Sequence, residues 1–353
     1  MELDNAIIDF FFPGKSCDSI EAISSGHINS TYKISLEGKE YILQNINTHV
    51  FDPIQLSKNI EVVTQHLKNK DYQYRILTPF VPENRTPHFE YQGEYWRIFE
   101  FIDHTETFEK AKNAKQAYKA ALAFSDFIKS LNDLDHSAVK PALPGFMDFR
   151  GRFTNMQKAI EQNPVLRKQE MSEEIDYLVR EYKNWSSFFD FIEDCPWHVI
   201  HADAKISNLL FNKNTGDPEC IIDLDTLMPG PVVYDFSEMV RSYTNLENED
   251  SVNISPAIMS WEILEELIRG FSEGIGSILT EKEWLSLEKG AAFVTYIQAV
   301  RFLTDYVNGD IYYKVKYPRH NYDRTINQIA LYKAIISKSE EISRLFKKLR
   351  EQI

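Results

Sequence analysis

The strongest constraint on this chain is one short run, His201-Ala202-Asp203-Ala204-Lys205-Ile206-Ser207-Asn208, followed by Ile221-Ile222-Asp223-Leu224-Asp225. Apolar Val199-Ile200 precedes the first run and two isoleucines precede Asp223. Each acidic side chain therefore leaves a buried strand for a loop. Residues 197–200, 208–211 and 219–224 read as extended, a strand–loop–strand platform. Asp203 at such an exit can align a hydroxyl or accept its proton. The Asn208 amide oxygen and the Asp223 carboxylate are hard donors of the kind that magnesium shares with phosphates. Asp, Asn and Asp in this order read as machinery for phosphoryl transfer, which asks a protein mainly for positioning and charge neutralisation. Any one of the three alone would be read as a turn or cap residue.

The rest of the chain can house such a site. Its 353 residues allow two domains or two lobes, and 43% hydrophobic content with 23 Phe and 18 Tyr supplies a sizeable core. A net charge of -14 argues against a nucleic-acid surface. Cys17, Cys195 and Cys220 have no C-x-x-C spacing. They form neither a disulfide framework nor a zinc knuckle, and free thiols fit a reducing compartment. The start, MELDNAIIDFFF, lacks the basic opening and apolar middle of a signal peptide. No apolar run reaches membrane-spanning length. The expectation is a cytoplasmic protein with neither a membrane nor a nucleic-acid partner.

Hydrophobic patterning changes character near residue 102. Before it, residues 31–36 and 40–46 flank Glu37-Gly38-Lys39, and residues 88–91 and 94–102 flank Gln92-Gly93, two hairpin signals. Between them Ile54, Leu56, Ile60, Val63 and Leu67 keep nearly helical spacing. After it, Tyr118, Ala121, Leu122, Ser125, Ile128 and Leu131 share a helical face. Pro141 and Pro144 break the pattern, residues 175–192 resume it, and from residue 260 onward the chain reads as helices. The expected fold class is α+β, with a small β-rich N-terminal lobe (1–102), a short hinge over 100–103, and a larger, mostly helical C-terminal lobe (103–353).

Other candidates have competing readings. Gly14-Lys15-Ser16 is no phosphate loop, because the spacing requires a glycine at position 9, which is Asp9. The turn from Ser24 to Thr31, with Gly26, His27 and Asn29, can turn backbone N–H groups toward phosphate oxygens; a plain surface turn is the alternative. His198, His201 and Asp203 are closely spaced, but on an extended segment 198 and 201 point to opposite faces, which disfavours a zinc site. His201 reads better as a buried brace of the loop. Arg301 interrupts the apolar stretch 293–303. It needs a partner: either Asp305 one turn on or a substrate hydroxyl or carboxylate. Tyr312 and Tyr313 add rings suited to a sugar face, though such rings are more often core.

Together these residues resemble the aminoglycoside phosphotransferase and choline kinase superfamily, whose fold is protein-kinase-like and two-lobed. The signature H-x-D-x-x-x-x-N is met by His201 to Asn208, the strand ending in I-D by Ile222-Asp223, and a later loop-bracing Asp by Tyr234-Asp235-Phe236. Within it the chain is most similar to the N-acetylhexosamine 1-kinases. The likeness lies in Gly26-His27-Ile28-Asn29-Ser30-Thr31-Tyr32, residues 41–48, residues 222–230 and Arg301-Phe302-Leu303-Thr304-Asp305-Tyr306.

The resemblance implies ATP and Mg2+, a free N-acetylhexosamine as acceptor, and ADP with the sugar 1-phosphate as products. It implies Asp203 as catalytic base, Asn208 and Asp223 as magnesium ligands, and Asp203, Asp223, Arg301 and Tyr312 at the sugar. For ATP it points to Gly26, His27, Asn29, Thr31, Gln44 and the hinge residues Glu100 and Ile102. His201, Asp225 and Asp235 would support the site. Gln44 stands where protein kinases carry a lysine, and Glu61 is the candidate for its usual acidic partner. The same chemistry would also serve methylthioribose, homoserine, choline or an aminoglycoside as acceptor. For a cationic acceptor, Glu247, Glu249 and Asp250 are the available carboxylates. A non-catalytic kinase-like binding module is the reading of a different class.

Overall fold

Alternating apolar and polar residues build a sheet first, and 3.6-residue periodicity then builds helices. The computed structural model describes residues 4–23, 28–252, 254–255 and 258–352. Its strands are β1 (Ser19–Ile23), β2 (Ser30–Leu36), β3 (Lys39–Ile46), β4 (Arg75–Ile76), β5 (Phe89–Tyr91), β6 (Glu94–Glu100), β7 (Thr105–Glu106), β8 (His198–Ile200), β9 (Leu209–Asn212), β10 (Pro218–Ile221) and β11 (Met228–Gly230). Its helices are α1 (Asn5–Phe11), α2 (Pro53–Lys68), α3 (Ala114–Ser130), α4 (Phe149–Gln162), α5 (Ser172–Glu193), α6 (Val233–Thr244), α7 (Trp261–Ile275), α8 (Glu281–Gly290), α9 (Phe293–Asn308), α10 (His320–Ile336) and α11 (Ser339–Arg350). No helix among the described residues is long and apolar enough to cross a membrane.

The chain divides into two compact units, and neither is one continuous stretch. The first comprises Met1–Glu106, Asp133–Pro144 and Leu210–Met228. Its five-stranded antiparallel sheet runs β1-β2-β3-β6-β5. Both expected hairpins are present, turning at Glu37-Gly38 and Gln92-Gly93, where positive φ angles favour glycine. One face buries Ile34, Leu36, Leu43, Trp96 and Ile98 against Ile7, Ile8 and Phe11 of α1. Neither α1 nor β1 is expected from the sequence pattern. Helix α1 has only seven residues, and Asp4 caps it by accepting from the Ala6 N–H.

Two later segments join this unit for identifiable reasons. Buried Asn59 on α2 donates to the Lys140 carbonyl at 2.6 Å and accepts from the Lys140 N–H at 3.1 Å. Strand β10 pairs in parallel with β4, and β7 pairs with β9. The segment carrying Asp223 and Asp225 thus folds with the first hundred residues rather than with the helices. Sequence reading puts both in the lobe after residue 102.

The second unit comprises Thr107–Asn132, Gly145–Leu209 and Pro229–Ile353. Helices α3 and α7 meet at backbone distance. A Cβ on Gly270 would stand 2.2 Å from the Tyr118 carbonyl oxygen, and one on Gly274 would stand 1.9 Å from Ser125 Oγ. Trp185, Phe149 and Phe293 pack their rings at 5.2–5.3 Å between centroids, joining α5, α4 and α9. Buried α6 carries Asp235 in its first turn.

Gly270 gives a test of this packing. In an open helix Gly→Ala gains roughly 1 kcal/mol of propensity. Here the new methyl meets a backbone carbonyl that cannot rotate away, and overpacking costs about 1–3 kcal/mol. Gly270→Ala is expected to lower the melting temperature by several degrees; a rise would contradict the close approach.

Candidate active site

The loop that follows β8 is held from below by one carboxylate. Asp235 is fully buried, and its Oδ2 and Oδ1 accept the backbone N–H groups of His201 (2.8 Å) and Ala202 (2.7 Å). Ala202 sits at φ 66°, a left-handed conformation costly for a non-glycine residue, which these bonds help to hold. The next N–H, of Asp203, donates to His201 Nδ1 at 3.3 Å, and the His201 ring meets Phe124 edge-on. His201 therefore braces the loop. His198 is tied elsewhere, its Nε2 lying 2.6 Å from Glu283 Oε1 at the capped start of α8. Among the described residues no group of three or more His, Cys, Asp or Glu is arranged to hold a metal ion.

Asp203 faces two partners. Lys205 Nζ lies 2.9 Å from its Oδ2, and Asn208 Nδ2 donates to the same oxygen at 3.0 Å and to the Asp203 carbonyl at 2.8 Å. With its NH2 so engaged, Asn208 keeps its Oδ1 as the acceptor for an incoming ligand. Burial alone would raise the Asp203 carboxyl, but the Lys205 charge and hydrogen bond, with His201 and Asn208, hold it below the ordinary value. It is ionised at neutral pH, as a hydroxyl-orienting base must be. Asp235 goes the other way. Burial pushes it up to about 6, against the pull of His201 and the two N–H bonds.

Further along the second unit, Arg301 of α9 donates to Gln298 Oε1 at 3.0 Å, and Gln298 donates on to the Tyr313 hydroxyl at 3.2 Å. Its guanidinium lies 5.8 Å from the Tyr312 ring and 5.4 Å from that of Tyr313. Of the two partners open to Arg301, Asp305 is engaged elsewhere. Asp305 accepts the N–H groups of Ile311, Tyr312 and Tyr313 at 2.8–2.9 Å and also the Asn321 amide. One carboxylate thus fixes the whole aromatic loop, and Arg301 is left to the rings. Nearby, Glu238 and Arg241 form a buried two-pronged ion pair (2.6 and 2.9 Å), and Arg241 also reaches Glu249 at 2.7 Å.

In the first unit, strand register places Thr31 opposite Gln44 and Gln44 opposite Arg97. Gln44 donates to Thr31 Oγ1 (3.2 Å) and accepts from Arg97 Nε (3.0 Å). Arg97 Nη2 reaches both oxygens of Asp225 at 2.7 Å, and Asn29 donates to Asp225 Oδ2 at 2.7 Å. Arg97 and Asp225 are each 2% exposed. Asn29, Thr31 and Gln44, expected at the nucleotide, are thus engaged with protein partners, and the cation missing at position 44 sits one strand over. Glu61 is exposed on α2. Asp223 takes a left-handed φ of 60° as β10 ends. Glu100 closes β6 with its side chain on Arg75, and the Ile102 carbonyl accepts from Thr105 Oγ1 at 2.7 Å. Gly26 and His27 lie outside the described residues.

Sequence reasoning missed Lys205, Arg97 and the Glu238–Arg241 pair. The first had a signal, a cation two residues after the candidate base. The other two depend on strand register and helix facing, which no single segment displays.

Two outcomes check this geometry. The Asp235 carboxyl is expected to titrate near pH 6 by 13C NMR. Because its folded value is raised, the stability it contributes is complete below about pH 4 and is lost as pH rises through 6. Asp235→Asn should remove that slope, whereas a titration near pH 4 would contradict the burial argument. Asp305→Ala leaves three loop N–H groups without their acceptor. It should destabilise the protein by about 2 kcal/mol or more and speed hydrogen exchange at Ile311, Tyr312 and Tyr313; unchanged exchange would show that the loop holds itself.

Known proteins share the fold of this chain. An aminoglycoside phosphotransferase from Alicyclobacillus acidocaldarius matches with a TM-score of 0.62 at 12% identity, covering 100% of this chain and 96% of its own. An AMP-bound spectinomycin phosphotransferase gives 0.60 at 13% identity, covering 98% of each chain. A Plasmodium vivax ethanolamine kinase gives 0.56 at 14% identity, covering 90% of this chain and 84% of its own. At these identities the likeness establishes the fold, which is protein-kinase-like, with a β-sheet N-terminal region and a helical C-terminal region. The family model described as phosphotransferase enzyme family matches residues 19–254. The chain belongs to the phosphotransferase enzyme family.

Proposed function

We propose that the chain is an ATP-dependent kinase that phosphorylates the anomeric hydroxyl of an N-acetylhexosamine, giving the sugar 1-phosphate and ADP. The observation that carries the chemistry is the ionised Asp203 on a loop anchored by Asp235, with Lys205 and Asn208 at its side. The ethanolamine kinase and the spectinomycin phosphotransferase, whose names describe phosphoryl transfer to small molecules, support a small hydroxyl acceptor. The AMP in the latter supports an adenine nucleotide as donor.

In this reading Asp203 aligns the anomeric hydroxyl and takes its proton as the oxygen attacks the γ-phosphorus and ADP departs. The ammonium of Lys205 offsets the charge gathered beside Asp203. Asn208 Oδ1 and Asp223 would hold Mg2+, which would supply charge neutralisation on the phosphates. The donor set suits that ion, being an amide oxygen and a carboxylate. Glu100 and Ile102 offer backbone groups to adenine, and Gly26 and His27 are the further residues assigned to ATP. Asn29, Thr31 and Gln44 are joined to Asp225 and Arg97 in one hydrogen-bonded network. Arg301 and Tyr312 meet the sugar. The free thiols Cys17, Cys195 and Cys220 suit a reducing cytoplasm.

The acceptor-side charges favour a neutral sugar over a cationic acceptor. Glu249 is neutralised by Arg241 at 2.7 Å, and Asp250 by Lys316 at 2.8 Å with His320 at 3.3 Å. Glu247 accepts from Ser251 Oγ. Two of the three carboxylates described in this loop are thus already paired with protein cations, which weakens its claim on a ligand ammonium. The binding-module alternative loses its main support, because Arg97 and Asp225 account for Gln44 without any loss of the catalytic residues.

An ADP-release assay over N-acetylglucosamine, N-acetylgalactosamine, methylthioribose, homoserine, choline and an aminoglycoside tests the acceptor. Turnover of an N-acetylhexosamine is expected; use of an aminoglycoside with neither hexosamine would contradict the reading. Asp203→Ala should lower kcat by about 10²-fold or more while leaving ATP binding largely intact, and near-normal turnover would remove Asp203 from its role.

A further inference from the structure

Arg301 is not alone. Arg152 of α4 reaches the same residue, Phe146, from another direction. Its Nη2 donates to the Phe146 carbonyl at 3.4 Å, whereas the Arg301 guanidinium stands 5.7 Å from the Phe146 ring. Neither arginine has a carboxylate within ion-pair distance among the described residues, although the neighbouring Arg241 has two. Arg152 Nε is buried and has no hydrogen-bond partner among them. Burial first, and then the charge of Arg301, depress the Arg152 guanidinium below the usual arginine value. Arg301 repels Arg152; Asp148, Tyr312 and Tyr313 offset this only in part, and an idle buried donor adds to the cost. Such an arrangement is stabilised by a ligand that presents oxygen lone pairs to both forks.

We propose that Arg152 and Arg301 together form a cradle for a planar oxygen acceptor on the phosphoryl-accepting substrate, an amide carbonyl or a carboxylate, and that this cradle excludes substrates bearing an ammonium group there. The proposal rests on the second unit's Arg301–Tyr312 region being the acceptor site. It adds Arg152 as a specificity residue and explains why an N-acetylated sugar, not its free amine, suits the pocket. The N-acetyl carbonyl receives the two forks; a protonated amine at the same position meets two like charges. A uronic acid would satisfy the same chemistry through its carboxylate.

The experiment compares acceptor kinetics of the wild type, Arg152→Gln and Arg152→Lys, using N-acetylglucosamine, glucosamine and glucuronic acid beside the wider acceptor panel. The wild type is expected to favour N-acetylglucosamine over glucosamine by at least about tenfold in kcat/KM. Arg152→Gln should raise the KM for N-acetylglucosamine about tenfold, with a smaller fall in kcat and an ATP KM within about twofold. It should also narrow the preference over glucosamine. Arg152→Lys, which keeps the charge but not the fork, should fall between the two and carries the test if the Gln variant does not fold. If no hexosamine is turned over but a neutral or anionic acceptor is, with KM raised by Arg152→Gln, the sugar kinase reading fails and the cradle stands. A cationic best acceptor, or an acceptor KM that both variants leave unchanged, overturns the cradle.

Discussion

The loop from His201 to Asn208 depends on the Asp235 carboxylate, which accepts two successive backbone N–H groups from a fully buried position. That pair of bonds satisfies the His201 and Ala202 amides and helps Ala202 to keep its left-handed turn. That turn sends Asp203 out toward Lys205 and Asn208 rather than onward along β8. Burial raises Asp235 and neighbouring charge lowers Asp203, so two carboxyls 32 residues apart in sequence are pushed in opposite directions. The geometry of the loop comes from Asp235 beneath the strand exit, and the ionisation of its acid from Lys205, His201 and Asn208 beside it.

The same device recurs away from that loop. Asp305 gathers three consecutive N–H groups and thereby fixes Tyr312 and Tyr313 beside Arg301. In the first unit Asp225 takes both a guanidinium and an amide, and so couples Arg97, Gln44, Thr31 and Asn29. A buried carboxylate surrounded by donors is stiff, because any motion strands a polar group without a partner. Functional loops held in this way need little help from apolar packing.

How much of this was legible in the sequence depended on distance along the chain. The strand exits before Asp203 and before Asp223 were readable because their pieces are local: apolar strands, polar exits and fixed spacing. Both hairpins were readable from their glycine turns, and α2 from its apolar stripe. Helix α1 was not, since seven residues cannot establish a period. The grouping of Asp223 with the first hundred residues was hidden, because it follows from β4 and β10 pairing across some 145 residues of chain. The choice between the two partners open to Arg301 could not be made locally, because helical spacing allowed Asp305 while the three loop N–H groups that claim it come later in the chain. Arg97 went unnoticed although it is the register partner of Gln44, a relation visible only once the sheet is paired.

The proposed function turns on Asn208 and Asp223 acting as ligands for the magnesium of ATP. Calorimetric titration of a non-hydrolysable ATP analogue, with and without Mg2+, into the wild type and the Asn208→Ala and Asp223→Ala variants tests it directly. The account predicts that Mg2+ tightens binding to the wild type, and that each substitution removes most of that gain while leaving metal-free affinity nearly unchanged. Equal Mg2+ dependence in all three proteins would contradict it.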